Sequence, residues 1–137
     1  METVIVDAGP LVAYLSNNDQ DHKWVEEKFG QFRLPLQTCD AVLSEACFLL
    51  QGTHCGTRQL LAMIERGLVE PNFDLRAEFA AVAELMRRYE NVPMSVADAC
   101  LVRMSELHRE AVVFTLDSDF RVYRRFRRQV IPLICPE

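Results

Sequence analysis

The run Thr3-Val-Ile-Val6 is apolar or β-branched at every position and stops at Asp7-Ala-Gly-Pro10. A strand without polar alternation has no solvent face, so it suits the centre of a parallel sheet covered on both sides. The rest of the chain must supply those covers. Leu11, Val12 and Leu15 begin a helical pattern with Pro10 in its first turn, and His22–Phe32 forms a second, with Trp24, Val25, Lys28 and Phe29 on one face. Pro35–Thr38 reads as a second strand, and Asp40 as the N-cap of a helix through Leu50. Thr57–Arg66 reads as a helix, Leu68-Val69 as a brief strand, and Leu75–Tyr89 as an amphipathic helix with Phe79, Val82, Leu85 and Met86 inward, stopped by Pro93. Ser95–His108 continues as helix, Ala111–Thr115 as a buried strand, Ser118–Phe126 as a short helix, and Val130–Ile134 as a last strand whose Pro132 suits a sheet edge. Such alternation predicts an α/β fold around a mainly parallel sheet of four to five short strands joined by right-handed crossovers.

At 137 residues, half of them hydrophobic, the chain is expected to form one domain, 1–137, with a core that needs no disulfides. No apolar stretch nears the roughly 20 residues of a membrane-spanning helix, and a soluble, unprocessed, cytoplasmic protein is expected. The five cysteines, Cys39, Cys47, Cys55, Cys100 and Cys135, include no Cys-x-x-Cys pair and are expected to be reduced and mostly buried. A net charge of −5 argues against a protein that coats nucleic acid nonspecifically, because backbone binding runs on neutralised phosphates. It leaves room for a nuclease whose acidic site a metal offsets. The basic residues are concentrated: five arginines fall between Arg121 and Arg128, while Lys23 and Lys28 are the only lysines. That segment is either a solvated helix face with Val122, Tyr123 and Phe126 packed inward, or a phosphate-holding patch.

Parallel sheets bind ligands beyond the carboxyl ends of their strands, where strand order reverses. Asp7 closes the first strand; Asp117, followed by Asp119, closes the strand Val112–Thr115. Each could simply cap the next helix. Glu45 lies among Ala41, Val42, Phe48 and Leu49 at helical spacing, where a carboxylate must be paired, protonated or metal-bound unless its head reaches water. Asp98 has Leu101 and Val102 at its i+3 and i+4 positions, and Ser95-Val-Ala-Asp98 has the spacing of a capping box. Several carboxylates at one end of one sheet, with no comparable basic partners, call for a hard cation, Mg²⁺ or Mn²⁺. His22, His54 and His108 are scattered and read as surface or capping residues rather than zinc or iron ligands. Trp24, Phe79 and Met86 read as core.

Four blocks carry a resemblance: Val4-Ile-Val-Asp7-Ala-Gly-Pro-Leu11, Cys39-Asp-Ala-Val-Leu-Ser-Glu45, Met94-Ser-Val-Ala-Asp98-Ala and Thr115-Leu-Asp117-Ser-Asp119-Phe120. In this order and spacing they resemble the PIN domains, and among them the VapC-like ribonuclease toxins of type II toxin–antitoxin systems, over nearly the whole chain. The resemblance implies a three-layer α/β/α fold and a metal-binding quartet of Asp7, Glu45, Asp98 and Asp117, with Asp119 accessory. Asp7 and Asp98 would bind the principal ion, and Glu45 and Asp117 would complete its shell. The family's frequent Ser or Asn two residues after the first aspartate is Gly9 here. Thr115 matches the small hydroxyl residue before the last acids and would orient a ligand. The implied activity is Mg²⁺- or Mn²⁺-dependent hydrolysis of RNA to 5′-phosphate and 3′-hydroxyl ends, with Arg124 and Arg125 helping to hold RNA. A homodimer and a small antitoxin protein are the implied partners.

Other readings make different demands. A catalytically weak module of the same fold, acting through dimerisation and partner binding, would not require all four acids. A receiver-like domain generally wants a lysine at a late strand end, and phosphatase-like hydrolases a second aspartate where Gly9 stands; this sequence has neither. DNA cleavage by a similar site is separated from RNA cleavage only by experiment.

Overall fold

The computed structural model describes residues 2–53 and 56–137. Its centre is β1 (Val4–Val6), every residue of which is buried. β2 (Leu36–Thr38), β3 (Val69–Pro71), β4 (Val112–Phe114) and, later in the chain, a short edge strand at Leu133–Ile134 complete a five-stranded parallel sheet. Two further short strands, β5 (Arg124–Arg125) and β6 (Gln129–Val130), form a separate antiparallel hairpin, which makes the edge strand β7. The sheet order is β3-β2-β1-β4-β7, with Ile5 opposite both Gln37 and Val113. From β1 the chain steps one way to β2 and β3, then returns to β4 on the other flank and continues outward to β7. The order therefore reverses between β1 and β4, which opens a crevice at their carboxyl ends. The expected strand Val130–Ile134 is split: Val130 belongs to the hairpin and only Leu133–Ile134 pairs at the sheet edge, with Pro132, which has no amide to donate, just before it and its carbonyl accepting from Val113.

Six helices cover the sheet: α1 (Ala8–Leu15), α2 (His22–Phe29), α3 (Asp40–Leu50), α4 (Arg58–Glu65), α5 (Leu75–Arg88) and α6 (Val96–Leu107). α1 packs on α2, α3 and α4, while α5 packs on α6, which also touches β1 and β4. This is the expected α/β/α arrangement. Arg103 of α6 bridges Glu78 of α5 at 2.7 Å and Glu106 at 3.0 Å, locking the two helices laterally. Among the described residues no helix is long and apolar enough to cross a membrane. Cys39 and Cys100 are buried free thiols and Cys47 and Cys135 are half-buried; Cys55 and His54 lie outside the described residues.

Several local expectations change. Asp40 is the first helical residue of α3 and Cys39 holds the cap position, so the Asp40 charge meets the helix dipole from within the first turn. Phe79 is 62% exposed. Val82 and Leu85 are buried and Met86 packs against the core, as expected, while Glu78 takes the inward place one turn before Val82 and reaches Arg103. The third change is larger. Ser118–Phe126 is not one helix: a 3-10 turn covers Ser118–Arg121, and the chain then extends into the β5–β6 hairpin. Tyr123 and Arg125 point inward and Arg124 is half-exposed, the period-two pattern of a strand. Arg125 explains the choice. Its guanidinium donates to the carbonyls of Ser105 (2.8 Å) and Arg109 (3.1 Å), groups that the end of α6 leaves without helical partners.

Candidate active site

Asp7 leaves β1 and caps α1: its Oδ1 accepts from the Ala8 amide at 2.7 Å. Its Oδ2 accepts from Thr115 Oγ1, also at 2.7 Å. The same hydroxyl oxygen accepts from the Asp117 amide at 3.0 Å, and Asp117 Oδ1 accepts from the Asp119 amide at 2.9 Å. One chain of hydrogen bonds thus joins the ends of β1 and β4 across the reversal point. The capping roles of Asp7 and Asp117 and their place at the crevice coexist.

Asp98 sits at the third position of α6, in the capping box anticipated from Ser95. Its amide donates to Ser95 Oγ at 3.0 Å, and its Oδ2 accepts from the Ser95 amide at 3.2 Å. A second donor is Tyr123, whose hydroxyl lies 3.1 Å from the same Oδ2. Glu45 projects from α3 and is exposed, so its carboxylate reaches water at the rim. The apolar neighbours Phe48 and Leu49 are exposed beside it rather than core.

A cavity of about 380 Å³ is lined by all four acids, Asp7, Glu45, Asp98 and Asp117, with Gly9, Leu49, Ser95 and Leu116. Gly9 has a spatial reason: a Cβ there would stand 3.3 Å from that of Leu116. Asp119 does not line this cavity, and neither does Arg124 or Arg125. Arg125 is 4% exposed and spends its guanidinium on α6, so it has no face to offer a nucleic acid. Arg124 Nη1 is turned onto the carbonyls of Arg121, Val122 and Tyr123. The exposed cations of the segment are Arg121, Arg127 and Arg128. His22 is structural, with Nδ1 2.7 Å from the Ala13 carbonyl.

The electrostatics follow from crowding. Burial lifts the Asp7 carboxyl to a pKa of about 6, against the lowering effect of its two hydrogen bonds, and the Asp98 and Glu45 charges add to the rise. Burial also raises Asp98, further assisted by Asp117, and raises Glu45, which feels both Asp98 and Asp117. Among the described residues none of the four acids has a Lys, Arg or His ion-pair partner. A cation would relieve this repulsion. No three acid, His or Cys side chains among the described residues are already gathered closely enough to cage an ion. The donors that line the cavity are carboxylate oxygens, the hard kind that Mg²⁺ or Mn²⁺ take.

The site residue that sequence reasoning missed is Tyr123, taken there for core packing. Its signal was a hydroxyl on a fully buried ring, which needs a partner.

Known proteins share this architecture. The family model described as PIN domain matches residues 4–125. The chain is 27% identical over 118 residues to ribonuclease VapC26 of Mycobacterium tuberculosis, a match covering 83% of this chain and 86% of that protein. The crystal structure of Mycobacterium tuberculosis VapC20, a sarcin-ricin loop cleaving toxin, aligns with a TM-score of 0.74 over 95% of this chain and 100% of that one. At 21% identity that likeness is one of fold. With the family model matching residues 4–125 of the 137, the chain belongs to the PIN-domain family.

Proposed function

We propose that this protein is an Mg²⁺- or Mn²⁺-dependent endoribonuclease of the toxin type, cutting single-stranded RNA at the carboxylate-lined cavity. The observation that carries the reading is the convergence of Asp7, Glu45, Asp98 and Asp117 on one cavity at the sheet's reversal point, with no basic ion-pair partner among the described residues. The ribonuclease and toxin activities named for its relatives support RNA as the substrate.

When bound, the metal supplies a water activated for in-line attack and positive charge against the scissile phosphate. The chain's own groups prepare for that. Asp7 and Asp98 would hold the ion, with Glu45 and Asp117 completing the set. Thr115 fixes the Asp7 carboxylate and, through the Asp117 amide, the start of the 3-10 turn, so two acids share one orienting hydroxyl. Asp119, whose backbone amide donates to Asp117 Oδ1 and whose side chain does not line the cavity, would support Asp117 as an accessory residue. RNA flanking the cut would meet Arg121, Arg127 and Arg128, the exposed cations of the arginine segment.

A homodimer and an inhibitory antitoxin belong to the same proposal. Exposed Phe48 and Leu49, on the helix that bears Glu45, offer apolar surface beside the cavity for a protein partner. The test is digestion of matched RNA and DNA oligonucleotides by purified protein, with Mg²⁺, Mn²⁺ or EDTA. Metal-dependent cutting confined to RNA is expected. Cutting of DNA alone would contradict the substrate, and intact strands in every tube, from folded protein, would favour a partner-binding module.

A further inference from the structure

We propose that Tyr123 is a positioning residue that presents Asp98 to the metal, an inference resting on the metal-site reading above. Asp98 Oδ2 is filled by two donors, the Ser95 amide and the Tyr123 hydroxyl. Among the described residues its Oδ1 accepts nothing, so that oxygen is left for the cavity that Asp98 lines. Two donors on one oxygen also fix the plane of the carboxylate. Without the phenol, Asp98 keeps only its contacts with Ser95 and gains freedom to turn.

Tyr123 itself has little freedom. Its ring is fully buried and makes edge contacts with Tyr89 (centroids 5.3 Å apart, 66°) and Phe120 (5.2 Å, 83°). Its amide donates to the Asp119 carbonyl, and the next amide, of Arg124, donates to the Tyr89 hydroxyl at 2.8 Å. One residue further on, Arg125 is pinned to the far end of α6, and the Phe126 amide is held by Glu106 Oε2 at 2.7 Å. Residues 123–126 thus form a strap along α6 that grips the helix at Asp98 and again near Ser105–Arg109. Phe126 and Arg127 carry positive φ values of 49° and 70° in the turn beyond it, a conformation non-glycine residues seldom adopt. A phenylalanine at 123 would fill the same space. The hydroxyl is what reaches the carboxylate.

The test uses the full chain and Mn²⁺ alone, titrated calorimetrically into wild type, Tyr123→Phe, Tyr89→Phe and Asp98→Asn, with thermal unfolding of each in EDTA. Tyr89→Phe removes a hydroxyl that touches no carboxylate but holds the Arg124 amide, so it loosens the strap while leaving the Tyr123 phenol on Asp98. Expected are a loss of Mn²⁺ affinity of about 10- to 100-fold in Tyr123→Phe and a change within about twofold in Tyr89→Phe. Cleavage by Tyr123→Phe should recover with excess Mn²⁺ while the KM for RNA stays unchanged. Equal Mn²⁺ affinity in Tyr123→Phe and wild type, whatever the melting temperatures, overturns the proposal and leaves the metal site standing. Equal weakening in Tyr89→Phe overturns it too, as general loosening of the cluster. Wild type that binds Mn²⁺ no better than Asp98→Asn overturns both the proposal and the reading beneath it.

Discussion

Asp7 carries the clearest energetic signature of the site. Folding moves its carboxyl pKa from the ordinary 3.8 up to about 6, so the folded state holds a proton that the unfolded chain releases. The Asp7 contribution to metal-free stability should therefore fall by up to about 3 kcal/mol as pH rises from about 4 to about 6. Asp7→Asn removes that penalty while keeping an acceptor for the Ala8 amide. In EDTA at pH 7 it should unfold about 1–3 kcal/mol later than wild type in urea, with the gap closing near pH 4. A variant equal to or weaker than wild type at pH 7 would mean that Asp7 is not strained by burial. Protons and metal compete for the same oxygens, so Mn²⁺ binding should strengthen as pH passes 6. The aspartates were legible in the sequence because strand ends and a capping box announce their own positions. Glu45 was legible as a residue but not in its setting. Helical spacing put it on an apolar face, and only the tertiary packing shows that face, with Phe48, left open.

Arg125 shows how one side chain decides an element. Local propensity favours continuing the helix after Ser118, yet bonding two carbonyls near the end of α6 and burying Tyr123 both require an extended chain. The order and kind of the elements up to β4 were legible because apolar periodicity switches cleanly between strand and helix. The hairpin was not, because its cause is a contact with α6 some 20 residues back in sequence. Arg125→Ala should lower stability by about 1–3 kcal/mol, seen as a fall in the urea midpoint, since it strands the buried Ser105 carbonyl that the guanidinium now satisfies. Both bonds come from the one nitrogen Nη1, so Arg125→Lys, whose ammonium can donate to both carbonyls, should recover part of this. If instead Arg125→Ala kept its stability and lost RNA binding, the residue would be a surface contact.

Across the whole molecule, an acidic chain sets four of its carboxylates around one crevice and carries two exposed arginines, Arg127 and Arg128, between the strands of the β5–β6 hairpin. RNA binding should therefore depend on salt through few contacts. In the Asp98→Asn background, replacing both Arg127 and Arg128 with Ala should reduce the slope of log affinity against log salt by about 1.4, as two lost phosphate contacts on a single strand would. An unchanged slope in fluorescence anisotropy would place the RNA elsewhere. The switch between β1 and β4 makes the crevice, and sheet order is a matter of long-range pairing that periodicity alone does not encode. The central claim is that the four acids form a metal-dependent ribonuclease site, and its most direct test is cleavage of a defined single-stranded RNA by wild type and Asp98→Asn with Mg²⁺, Mn²⁺ or EDTA. The amide can still accept from the Ser95 amide, so the variant should fold. The account predicts cutting by wild type in either metal, none in EDTA, and a loss of at least about 100-fold in the variant. Cutting that survives EDTA, or an Asp98→Asn protein as active as wild type, would contradict it.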